Sequence, residues 1–143
     1  MGNSSSRGHS AAECGSGTLR SRVLSSDDQE RIALILGGCG DKARLTRSSL
    51  HRMCIEFANI IRGMGIKPGD IVTVVDSNTV EFVVAFLGVT YARAVAAPLN
   101  QNYTTEEFKY YMEDAGSKLL VTGAQGNASA EGAGVVPSIS VNV

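Results

Sequence analysis

"IVTVVDSNTVEFVVAFLGVTYARAVAAPL", residues Ile71 to Leu99, is the stretch on which the fold turns. Its first part is apolar at adjacent positions, Ile71, Val72, Val74 and Val75. A strand wet on one face would alternate; adjacent apolar residues predict burial on both faces, as in a parallel sheet. The chain then turns polar. Ser77 or Asn78 can cap a helix, and Glu81 stands three residues after Asn78 as a capping-box partner. The β-branched residues that follow would also permit a strand. Length and the cap favour a helix, apolar on nearly every side and therefore deeply buried. "AVAAPL" (Ala94–Leu99) is the next strand, and Pro98, which cannot donate to a sheet ladder, tends to stop it. Both strands read as central strands of a larger sheet. Strand, helix and strand in that order make a right-handed parallel crossover.

Downstream, Asn100 to Tyr103 form a turn, and Thr104 with Glu107 is a second capping box. It opens a helix that is expected to bury Phe108, Tyr111 and Met112 and to close at Gly116. "KLLVT" (Lys118–Thr122) is one more strand. Upstream, "RIALIL" (Arg31–Leu36), the turn signal "GGCGDK" and "ARLT" read as a β-hairpin. Thr46 can cap a helix whose stripe is Leu50, Met53, Cys54, Phe57, Ala58, Ile61 and Met64, with Arg47, Arg52, Glu56, Asn59 and Arg62 off it. Gly65 ends that helix, because a left-handed cap costs least as glycine. "KPGD" (Lys67–Asp70) then turns the chain into Ile71. The expected fold is α/β, a mostly parallel sheet with crossover helices and an N-terminal hairpin.

The chain has 143 residues, enough for one core. Residues 1–25, rich in Ser and Gly, are expected to be a disordered tail, 26–122 the α/β domain, and 123–143 a flexible tail with a short strand. A formal net charge of −1 gives no pull toward nucleic acid. No apolar run approaches the roughly 18 residues of a membrane helix. The N-terminus carries no apolar signal stretch. Cys14, Cys39 and Cys54 are odd in number and widely spaced, which fits a reducing compartment and argues against a disulfide framework or zinc site. A cytoplasmic location is expected.

The segment Gly65–Thr122 resembles the N-terminal part of the AMP-forming acyl-CoA ligases, the adenylate-forming superfamily. The KPGD turn, the Glu81–Phe82 pair, the Ala-Ala-Pro-Leu-Asn strand end and the Tyr-Thr-x-Glu-Glu-Phe helix start match in order and spacing. Arg93 stands where most of that superfamily has glycine, and "ARAVAAPLN" resembles its oxalate–CoA ligase branch, near the 4-coumarate–CoA ligase-like members. The resemblance implies a partial large N-terminal domain of an enzyme that joins a carboxylic acid to coenzyme A. ATP and the carboxylate give an acyl-adenylate and pyrophosphate, and the CoA thiol then displaces AMP. It implies ATP, Mg2+ and coenzyme A as cofactors and a small-molecule carboxylate as substrate. The phosphate loop, the acid on the ribose and the lysine of a mobile C-terminal domain lie, in that family, downstream of the matched segment. The resemblance therefore implies an N-terminal fragment, inactive alone, and assigns no catalytic, cofactor-binding or metal-binding residue to this chain.

Other stretches invite chemistry. "GGCGDK" lacks Walker spacing, and a hairpin turn is the better reading. "TGAQGNASAEG" (Thr122–Gly132) resembles a glycine-rich nucleotide loop but has no lysine, so a flexible linker is preferred. His51 is off the apolar stripe and reads as solvated, Cys54 as a core residue, and Glu106 and Glu107 as favourable charges at a helix N-terminus. Glu113 and Asp114 read as solvated. "MGNSSSR" fits the myristoylation pattern with Gly2 as acceptor and Ser6 in place. That motif carries the alternative reading, a non-catalytic interaction module anchored at a membrane, with Cys14 available for a second acyl chain. A partial sheet also leaves core surface and a strand edge uncovered, so self-association is expected.

Overall fold

The structure is a computed structural model that describes residues 29–37 and 44–142. Gly2, Cys14, Cys39 and most of the GGCGDK turn lie outside the described residues.

The chain opens with an antiparallel hairpin of β1 (Ile32–Ile35) and β2 (Arg44–Thr46). Helix α1 (Arg47–Gly63) follows at once, its first turn held by Thr46, which accepts a hydrogen bond from Ser49 N–H. Leu50, Cys54, Phe57, Ala58 and Ile61 are buried, as the stripe predicts, whereas Met64 at its end is exposed. The cause is the helix stop: Gly65 takes φ +92° and its N–H bonds to Arg62 O, turning the chain out at Met64. The KPGD turn is closed by Asp70, whose carboxylate accepts from Lys67 N–H at 2.7 Å.

The parallel sheet has the order β4–β3–β5–β6, with β3 Ile71–Val75, β4 Val95–Pro98, β5 Leu119–Gly123 and β6 Ser138–Val141. Helix α2 (Val80–Tyr91) carries the chain from β3 to β4, α3 (Thr105–Ala115) from β4 to β5, and α4 (Ala128–Gly132) from β5 to β6. Alternate residues of the central strands serve opposite faces. Val72, Val74, Leu119 and Val121 pack with α1 and α2 in one core cluster. Val75 and Leu120 pack with Phe108, Met112 and Ala130 of α3 and α4 in the other. Helices thus cover both faces, which is what the adjacent apolar residues of β3 require.

Four further expectations change. The cap of α2 is Thr79, not Ser77 or Asn78, and its side chain accepts from Phe82 N–H. The Asp76 carboxylate accepts from both Ser77 N–H and the Thr79 hydroxyl, and this pair of bonds sets where the turn ends and the helix begins. Strand β4 has β3 as its one sheet neighbour among the described residues, so it is an edge, and Val95 is half-exposed. Tyr111 is exposed on α3, while Phe108 and Met112 of the same helix are buried. The Thr122–Gly132 stretch, expected to be a flexible linker, contains α4, capped by Asn127 through a bond from Ala130 N–H. The capping box of α3 is formed as expected: Thr104 accepts from Glu107 N–H, and the Glu107 carboxylate accepts from Thr104 N–H at 2.8 Å. Gly116 closes the helix in the left-handed conformation.

Candidate functional site

The chain leaves β3 toward β4 on one side, then returns to place β5 on the other. The carboxyl ends of β3 and β5 therefore form the topological switch point of the sheet, where open α/β sheets bind ligands. In register, Val75 pairs with Thr122, so the next residues, Asp76 and Gly123, flank the mouth of that crevice. A Cβ on Gly123 would lie 2.5 Å from the Asp76 carboxylate, so glycine is what lets the acid sit against the β5 backbone. Asp76 is fixed there by Ser77 N–H at 2.7 Å and the Thr79 hydroxyl at 2.6 Å. Beside it, Asn100 builds the loop after β4, its side chain accepting from Asn102 N–H and its carbonyl from Tyr103 N–H. Asn127 donates to Gln101 O across the same edge, tying the β4 and β5 loops together.

The glycine-rich turn after β5 is occupied by the protein itself. The Glu131 carboxylate accepts from Asn127 N–H at 3.2 Å and lies 3.4 Å from the Thr122 hydroxyl, and it fills the space beside Gly126. The Asn127 N–H is directed to this carboxylate, and a second negative group beside it would be repelled. Among the described residues no three His, Cys, Asp or Glu side chains converge on one point. The turn after β5 thus places a carboxylate, not an open set of N–H donors, beside Gly126. What this edge can do is hold a polar loop surface and one oriented carboxylate.

The remaining candidates are structural. His51 is half-buried and not simply solvated: its Nε2 lies 3.4 Å from the Tyr91 hydroxyl, linking α1 to the end of α2. Cys54 is fully buried, and burial pushes its thiol up to about 12. Glu107 is held below the ordinary carboxylate range by the Thr104 N–H and hydroxyl. Glu106, Glu113 and Asp114 are exposed. Gly2 lies outside the described residues. Asp76, Gly123 and Glu131 were not singled out by the sequence; the polar break after Val75 marks the first, but the other two depend on strand register.

An open parallel sheet with helices on both faces and a switch point between β3 and β5 defines a doubly wound α/β domain. Residues 24–142 match the model of the AMP-binding enzyme family, and the chain belongs to that family. It is 48% identical over 103 residues to the oxalate–CoA ligase of Arabidopsis thaliana, a match that covers 71% of this chain and 20% of that protein. It is 30% identical over 100 residues to 4-coumarate–CoA ligase 3 of the same plant, covering 70% of this chain and 18% of the relative. Among solved structures, the O-succinylbenzoate coenzyme A synthetase of Bacillus subtilis in complex with AMP superposes with a TM-score of 0.71 at 24% identity. That match covers 82% of this chain and 29% of the other, and it shows the shared fold. The chain thus spans about a fifth of the length of the curated relatives it matches. Among the described residues, no helix is long and apolar enough to cross a membrane.

Proposed function

We propose that this chain is the N-terminal α/β portion of an ATP-dependent, AMP-forming acid–thiol ligase of the oxalate–CoA ligase kind, and that by itself it does not activate a carboxylate. The observation that supports this reading is 48% identity to an oxalate–CoA ligase over a stretch that covers only 20% of that protein. The carboxylate, ATP, Mg2+ and coenzyme A would be handled by parts of such a ligase beyond the portion matched here. The role of this portion is then architectural: it supplies one wall, the loops after β3, β4 and β5, to a site completed elsewhere. Purified chain is expected to give no oxalate-dependent ATP–pyrophosphate exchange. Exchange is expected to appear when the chain is mixed with an oxalate–CoA ligase lacking its first fifth. Exchange by the chain alone, free of host ligase, would refute the reading.

The "MGNSSSR" start favours a second reading, an interaction module acylated on Gly2. Co-expression with an N-myristoyltransferase and intact-mass measurement decides it, and an unmodified N-terminus under those conditions rejects it.

A further inference from the structure

We draw no further inference here: the strongest candidate, the apolar groove between α1, α2 and β6 lined by Met53, Phe57, Ile60, Val84 and Ile139, is an unpartnered face of a chain that spans about a fifth of the length of its curated relatives, and nothing in the structure shows what covers it.

Discussion

Arg93 is the one non-glycine residue among those described with a positive φ, at +66°. It follows the last residue of α2 by two positions and makes the stop of that helix: its N–H bonds to Thr90 O, and Ala94 N–H reaches back to Val89 O. Its carbonyl also accepts from Gly69 N–H, joining this turn to the KPGD turn. The left-handed conformation costs a residue with a Cβ roughly 1–2 kcal/mol. Replacement by glycine relieves that strain but gives the unfolded chain more freedom, a loss of about 0.4–1 kcal/mol. The Arg93 side chain is exposed, so little packing is lost. Strain relief is the larger effect, and Arg93→Gly is expected to stabilise the fold by about 0.5–1 kcal/mol, or about 2–4 °C in Tm. Gly116 supplies the mirror experiment, since it has φ +68° and nothing within 4 Å of where a Cβ would stand. Gly116→Ala therefore acts through backbone conformation alone and is expected to lose a similar amount. Urea unfolding followed by circular dichroism, at one protein concentration and with unchanged slope, measures both. An Arg93→Gly chain that unfolds at lower urea than wild type would refute the reasoning, because the side chain would then be contributing contacts larger than the strain.

The contact between α1 and α2 gives a test of opposite kind. A Cβ on Gly88 would lie 2.7 Å from Phe57 Cδ1 and 3.2 Å from the Cys54 carbonyl, so Gly88→Ala is expected to destabilise by about 1–2 kcal/mol despite the helix propensity of alanine; a neutral result in the same urea assay would mean that the helices are not this close. Glu107 is held below the ordinary carboxylate range by Thr104, so its stabilising effect is present above that range and is lost as pH falls through its depressed folded pKa. The Thr104 amide resonance is expected to titrate at a pH below that of an unperturbed glutamate, and Glu107→Gln to abolish the titration. With its thiol pushed up to about 12 by burial, Cys54 is expected to resist alkylation at neutral pH until the chain is unfolded, as peptide mapping would report. The same shift means that stability falls as pH rises above the ordinary thiol range, where the unfolded chain loses a proton that the folded chain keeps.

The elements that could be read from the sequence are those whose signal is local. The stripe of α1 repeats at helical spacing through Leu50, Cys54, Phe57 and Ile61, and each of these is buried. The capping box of α3 and the Gly116 stop involve residues three to five apart or a single φ, and both formed as read. Where neighbouring residues offered the same local signal, a tertiary partner decided between them. Ser77, Asn78 and Thr79 are all good caps, and the Asp76 carboxylate selects Thr79 by accepting its hydroxyl. Helix α4 has no apolar period to announce it. Its turn is held from a distance, by Asn127 on Gln101 and by Glu131 near Thr122, and no composition rule for small residues reports such bonds.

The crevice obeys the same logic. Parallel burial of β3 was visible in Ile71–Val75, but which strand lies beside it, and in what register, was not. Only the pairing of Val75 with Thr122 brings Asp76 to Gly123 and turns an acid and a glycine, 47 residues apart in sequence, into two sides of one opening. The same register sends the chain after β5 into the turn that Glu131 fills. Glu131 thereby comes to accept from Asn127 N–H inside the glycine-rich run, which folds as a turn closed by the protein's own carboxylate. Under the function proposed above, the contribution of this portion would lie in the wall that its three strand-end loops present to the rest of the site.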